Sequence, residues 1–230
     1  MHEITKRHEL KYLISKTDYE VFKKKLDPLL QKDLYSGNKP YTITSLYFDD
    51  IFNTAYKQKI NGDSYRYKYR IRYYDLDTSL FKLEKKEKRD QITNKESATL
   101  SLNEVQSILK NDIAFLQEKQ GELYQEFYQK IKNGLLKPKV IVEYERVAYT
   151  HIVGNCRITF DQRLRSSFNI HDLFNQSTMY IDPLLTNEVI MEIKFNGEFP
   201  FYIKSLLQSY NSIQTSVSKY VYSRKYNYNL

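Results

Sequence analysis

The chain has no tryptophan, one cysteine, six glycines and five prolines among its 230 residues. The lone cysteine, Cys156, excludes an intramolecular disulfide and fits a reducing compartment. With so few glycines there is no Gly-rich phosphate loop, which excludes a P-loop mechanism. No linker, internal repeat or low-complexity segment is visible. No apolar run approaches the roughly eighteen residues of a membrane span, and the opening residues Met1 to Arg7 lack the apolar stretch of a signal peptide. His2, His8, His151 and His171 have no metal-ligand spacing. The expectation is a single domain over residues 1–230, cytoplasmic, with Cys156 a small buried residue and no nucleophile.

What the chain does have is charge and tyrosine. Lys and Arg number 36 against 28 Asp and Glu, for a net charge of +8, and there are 22 Tyr and 12 Phe. A basic excess points to anionic partners. Its placement is more telling than its size. Side chains of a β-strand alternate between two faces. In the segment 66–73 this puts Arg66, Lys68, Arg70 and Arg72 on one face and Tyr67, Tyr69, Ile71 and Tyr73 on the other. The pattern recurs: Arg7, Glu9 and Lys11; Lys82, Glu84, Lys86 and Lys88; Arg157, Thr159, Asp161, Arg163 and Arg165; Glu188, Ile190, Glu192 and Lys194. Tyr144 and Arg146 share a face with Val140 and Val142, and Glu143 and Glu145 point the other way.

Strands are expected over 3–14, 41–49, 64–75, 79–89, 91–99, 138–150, 154–165 and 187–196. A helix capped by Thr17, with Glu20 in capping-box position, is expected to run to about Gln31. A second follows Ser101 and Glu104, a third covers about 121–133 and ends near Gly134, and a fourth follows Pro200. The fold class read from this order is α+β and mostly antiparallel, with helices packed outside a curved sheet. If that sheet closes into a barrel, the charged faces line its interior and the apolar faces pack under the helices. Like charges crowded on one face repel, and a polyanion relieves the repulsion. The few acids, Glu9, Glu84, Asp161 and Glu192, are hard oxygen donors suited to a divalent metal.

These residues, in this order, resemble the VTC domain, the polyphosphate polymerase domain of the triphosphate tunnel metalloenzymes, to which the CYTH proteins also belong. The motifs are Arg7-His8-Glu9-Leu10-Lys11-Tyr12, Ser45-Leu46-Tyr47-Phe48-Asp49, Lys68-Tyr69-Arg70-Ile71-Arg72, Leu83-Glu84-Lys85-Lys86, Tyr144-Glu145-Arg146, Arg157-Ile158-Thr159-Phe160-Asp161, Glu192-Ile193-Lys194 and Ser218-Lys219-Tyr220. The resemblance implies an antiparallel β-barrel tunnel that transfers the γ-phosphate of ATP to a growing inorganic polyphosphate chain. It also implies a divalent metal, Mn2+ or Mg2+. It assigns phosphate contacts to Lys11, Lys68, Arg70, Arg72, Lys86, Tyr144, Arg146, Arg157, Lys194, Ser218 and Lys219. By the same resemblance Lys219, Glu192, Arg70 and Arg72 would be the catalytic set. The resemblance makes Glu192 the expected metal ligand, with Glu9 a weaker candidate and Glu84 metal-binding or structural. The partners are ATP and polyphosphate, with a separate membrane protein where export is needed.

Three other readings remain open: a tripolyphosphatase or nucleoside triphosphatase using water as acceptor, a non-catalytic polyphosphate sensor, and nucleic-acid binding. The last is disfavoured because aromatic and basic side chains occupy opposite strand faces, so bases could not stack where phosphates bind.

Overall fold

The structure is a computed structural model that describes residues 7–37, 39–90, 92–175, 177–184, 187–197, 199, 201–208 and 214–225. The first residues of the expected opening strand, Gln91, Pro200, Tyr226 and Tyr228 lie outside them, as do the side chains of Arg7, Leu206 and Leu207. The chain divides into two compact units, one of 1–42, 144–164 and 184–218 and the other of 43–143, 165–183 and 219–230.

In the first unit, β1 (Arg7–Ser15) pairs antiparallel with β9 (Glu188–Asn196), and β9 pairs antiparallel with β8 (Cys156–Ser167). Next to β8 runs the second half of β7 (Lys137–His151), which also carries the two-residue β2 (Gln31–Lys32). Helix α1 spans Lys16–Leu26, and its N-cap is Ser15 rather than Thr17. The Ser15 hydroxyl accepts from the Asp18 N–H at 3.0 Å, while the Asp18 carboxylate accepts from the Ser15 N–H at 3.3 Å, a closed capping box. The helix stops at Leu26 instead of reaching Gln31, because Pro28 has no N–H with which to continue it. Tyr19, Phe22 and Leu26 of α1 pack with Val147, Tyr149, Ile158, Phe160, Met191 and Ile193, the apolar faces of β7, β8 and β9. Helix α5 (Phe201–Gln208) adds Ile203 to this core.

In the second unit the strand order is β7, β3 (Tyr41–Asp49), β4 (Tyr65–Tyr74), β5 (Asp77–Arg89) and β6 (Ile92–Leu100). Leu46, Phe48, Tyr69, Ile71, Tyr73, Phe81 and Leu83 form one face of these strands. They pack under α3 (Leu102–Leu109) and α4 (Glu122–Lys132) through Val105, Ile108, Leu123 and Phe127. Ser101 caps α3 with Glu104, as expected. Two short helices have no counterpart in the sequence reading, α2 (Thr54–Asn61) and α6 (Lys219–Lys225). No helix among the described residues is long and apolar enough to cross a membrane.

One strand departs from simple alternation. Arg163 has φ of +49°, a left-handed backbone that interrupts the pleat of β8. Arg163 therefore pairs with Glu145 at 2.9 Å, and Arg165 pairs with Glu143. Both arginines leave the face of Arg157 and Asp161, where alternation had put them.

Candidate phosphate-binding faces

The register of the second unit sets its charged face. Across β4, β5 and β6, Arg66 lies opposite Lys88, Lys68 opposite Lys86, Arg70 opposite Glu84 and Arg72 opposite Lys82, while Lys86 also faces Lys95. Residues directly opposite in an antiparallel pair share a face. Eight cations therefore stand on it: Arg66, Lys68, Arg70, Arg72, Lys82, Lys86, Lys88 and Lys95. The carboxylate on these three strands' face is Glu84, 2% exposed. It accepts from Arg70 Nε at 2.7 Å and lies 2.6 Å from Lys95 Nζ and 3.7 Å from Arg72 Nη1. Burial opposes its charge, but Arg70, Arg72 and Lys95 hold its pKa down at about 2. Three cations around one acid make Glu84 a structural counter-ion.

From β3, Ser45 and Tyr47 stand opposite Arg72 and Arg70. Arg70 Nη1 donates to the Tyr47 hydroxyl at 3.0 Å. The Ser45 hydroxyl is buried with no hydrogen-bond partner among the described residues. Asp49 closes β3 as a hub, accepting from the N–H groups of Ala55 and Tyr56 at 2.9 and 3.1 Å and from the Tyr220 hydroxyl at 2.5 Å. Asp49 thus supplies the N-terminus of α2 with acceptors and ties down Tyr220, the residue after Lys219, at the start of α6.

The first unit is different. In the β1–β9–β8 register Lys11 lies opposite Glu192, and Lys194 lies between Glu9 and Arg157. Lys11 Nζ is 2.8 Å from Glu9 and 3.5 Å from Glu192, while Lys194 pairs with the other Glu192 oxygen. Burial opposes the charge of Lys11, yet Glu192 and Glu9 raise its pKa above the ordinary lysine value. Arg146 donates Nε and Nη2 to Asp161 at 2.6 and 2.8 Å, a bidentate pair, with its guanidinium 5.3 Å from the Tyr144 ring centroid. Arg157 donates to Asp33 at 2.7 Å and to the Tyr41 hydroxyl at 3.3 Å. Four cations, Lys11, Arg146, Arg157 and Lys194, thus meet four acids, Glu9, Asp33, Asp161 and Glu192. Among the described side chains the excess of base expected on every charged face is absent from this one, where Arg163 and Arg165 turn away. The buried hydroxyl of Thr159, opposite Glu192, has no partner among the described residues. Ser218 is buried at the end of this unit.

Among the described residues no three His, Cys, Asp or Glu side chains are grouped to hold a metal. Two carboxylates, Glu9 and Glu192, do converge on one cation, the ammonium of Lys11. That donor set fits a magnesium-like ion, which is held by one or two carboxylates and completes its shell with water and substrate phosphate. Asp161 is committed to Arg146. The sequence reading gave no role to Tyr47, Ser45, Lys95, Asp33 or Tyr41. Alternation in β3 and β6 exposes the first three, but their partners emerge only from the register.

The VTC domain family matches residues 6–228 of the chain. No curated protein matches it. Among solved structures, a candidate adenylate cyclase from Bacillus halodurans is similar at 18% identity and TM-score 0.52, over 90% of this chain and 87% of that one. A chain of the Schizosaccharomyces pombe Mediator head module is similar at 9% identity and TM-score 0.50, over 91% and 99%. At such identities the likeness concerns the fold, and it agrees with the antiparallel α+β architecture of the tunnel proteins expected from the sequence.

Proposed function

The chain belongs to the VTC domain family, and from that premise we propose that it is a metal-assisted phosphotransferase, moving the γ-phosphoryl group of ATP onto an inorganic polyphosphate chain. The observation that carries this reading is the face of eight cations around Glu84 in the second unit. Lys68 stands opposite Lys86 and Lys86 opposite Lys95, a juxtaposition of like charges that an anion relieves, and a polyphosphate is a row of negative charges. Arg70 and Arg72 suit bidentate contacts to non-bridging oxygens, and the lysines act as compact charges. The buried Ser45 and Thr159 hydroxyls are further donors.

Lys11, Lys194, Arg146 and Arg157, with the Tyr144 hydroxyl, contact phosphate on the face of the first unit. Ser218 and Lys219 handle the terminal phosphate. Glu192, with Glu9, would hold a divalent cation, manganese or magnesium, which when bound neutralises phosphate oxygens. In the transfer, an oxygen of the chain's terminal phosphate forms a bond to the γ-phosphorus as the bond to the β-phosphate oxygen breaks. ADP leaves with that electron pair. Because the acceptor is itself a phosphate, no nucleophilic side chain is needed, and the protein's part is alignment and charge neutralisation.

The test is incubation of the purified chain with ATP and manganese, with products resolved on a polyphosphate gel beside an ADP assay. Long chains with matching ADP, lost in Glu192→Ala and Lys219→Ala, are expected. Free phosphate without chains would make the protein a hydrolase. Polyphosphate binding with no turnover would make it a non-catalytic binder.

A further inference from the structure

The row of cations in the second unit ends at an aromatic ring. Tyr73 belongs to the core, so Tyr74, the last residue of β4, faces the other way, with Arg72. The contact agrees: the Arg72 guanidinium lies 5.7 Å from the centroid of the Tyr74 ring. Tyr74 is half-buried and keeps part of its surface in solvent. Tyr47, on the same face, is 2% exposed and stacks on Tyr220 with ring centroids 5.2 Å apart, so it is closed to a ligand.

The β4–β5 hairpin fixes that ring. Tyr74 lies opposite Asp77, and Asp75 and Leu76 between them are both left-handed, with φ of +48° and +59°, the backbone of a tight two-residue turn. The register shifts between Arg72 and Tyr74, and such an irregularity re-aims the side chains beside it. From β5, Leu80 stands at this end of the same face, two residues before Lys82 and opposite in facing to the core residues Phe81 and Leu83; it is 48% exposed. The face therefore changes character along its length. From Arg66 and Lys88 to Arg72 and Lys82 it is a row of cations around Glu84, and past that last pair it presents an aromatic ring and an aliphatic side chain. Tyr74 stands one same-face step, about 7 Å, beyond Arg72, which leaves room for the ribose that separates a base from its first phosphate.

We propose that Tyr74 is a specificity-determining residue of this face: the base of a nucleoside triphosphate stacks on its ring, Leu80 lines the same end, and the triphosphate runs back along Arg72, Lys82 and Arg70. This rests on the reading of the face as a site for ATP and polyphosphate. Phosphate contacts alone cannot tell a nucleotide from an inorganic chain, because both present the same non-bridging oxygens. An aromatic surface at the end of the row can, since a base gains from stacking there and a bare polyphosphate does not. Arg72 lies over one side of the ring, so the base takes the other, and the guanidinium behind the ring adds a cation to the stack. One accessible ring serves one base, which suits a mononucleotide; a polynucleotide needs successive platforms. Stacking reads the presence of a base, not its edge, so Tyr74 favours a nucleotide over an inorganic triphosphate without choosing adenine over guanine.

The test compares ATP with tripolyphosphate as probes, by calorimetry on the full chain in one buffer, for wild type, Tyr74→Phe and Tyr74→Leu. Tyr74→Leu is expected to weaken ATP about tenfold, as loss of a base–aromatic stack does, and to leave tripolyphosphate within about twofold. Tyr74→Phe keeps the ring and should bind both probes as wild type does. A second measurement needs no variant. In saturation-transfer NMR with wild type, the ring protons of the adenine should receive saturation from the protein, and excess tripolyphosphate should abolish it. Equal weakening of both probes in Tyr74→Leu would mean that the ring only positions Arg72. An unchanged ATP affinity in that variant, or adenine protons that receive no saturation from bound ATP, would put the base elsewhere. Each of these results would overturn the proposal and leave the polyphosphate reading standing. Failure of wild type to bind either probe would overturn both.

Discussion

Replacing Glu84 with glutamine removes one charge and almost no volume, so it isolates what that carboxylate does. The folded-state pKa of about 2, against an ordinary 4.5, corresponds to about 3 kcal/mol of stabilisation of the charged form. Losing the acid partner of a buried ion pair costs a similar amount, about 3–5 kcal/mol, because Arg70, Arg72 and Lys95 then lose the carboxylate they share. For a chain of this size each kcal/mol moves Tm by about 2–4 °C. The expected loss is therefore about 6–12 °C, read by calorimetry at neutral pH. The same pKa fixes the pH dependence. A depressed carboxyl pKa contributes stability above the unfolded value of 4.5 and loses it as pH falls toward 2. The gap between wild type and Glu84→Gln should thus be full at neutral pH and narrow below 4.5. Tripolyphosphate should raise the Tm of the variant more than that of wild type, since it meets one more unbalanced cation. An unchanged Tm at neutral pH, or equal ligand stabilisation of the two proteins, would refute the assignment of Glu84 as the counter-ion of this face.

Two further outcomes test the first unit. Arg146→Lys keeps the charge but cannot make the two parallel bonds to the buried Asp161; stability should fall by about 2 kcal/mol, seen as a lower midpoint in chemical denaturation, and an unshifted midpoint would mean that the bidentate geometry contributes nothing. Burial raises the Cys156 thiol to about 11, so a disulfide reagent at mildly alkaline pH should leave the folded protein unlabelled and label it fully in denaturant; rapid labelling of the native chain would show that Cys156 is not in the core.

Period-two patterning made the charged faces of β1, β4, β5 and β9 legible, because each face needs only its own strand. The capping box of α3 was legible for the same local reason. What failed was local structure whose cause is distant or ambiguous. Ser15 and Thr17 are both hydroxyls with an acid three residues on, Asp18 and Glu20, and only the Ser15 pair closes. Helix α2 has no side-chain cap of its own; its first N–H groups are met by Asp50 and Asp49, at and just past the end of β3. The left-handed turn at Arg163 leaves no mark in the sequence, so two arginines were credited to the wrong face. At the candidate site the cations were identifiable one by one, but which acid each one meets is a matter of register. Glu84 at the centre of Arg70, Arg72 and Lys95 follows only once β4, β5 and β6 are aligned.

Register also separates two kinds of charged face. In the first unit Lys11, Arg146, Arg157 and Lys194 each have a carboxylate within ion-pair distance. Its carboxylates, Glu9 and Glu192, converge on an ammonium, the arrangement in which a hard cation could compete. In the second unit eight cations stand on one face of β4, β5 and β6, where Glu84 meets Arg70, Arg72 and Lys95. A polyanion held by solvent-accessible charge binds less tightly as salt rises, whereas buried groups respond little. Substitutions of Lys68, Lys86 or Lys95 should accordingly weaken polyphosphate binding and flatten its salt dependence together. Substitutions of Lys11 or Lys194 should alter divalent-cation dependence while leaving the salt slope in place. Two residue sets that failed in the same way would show that this separation of charge carries no functional meaning.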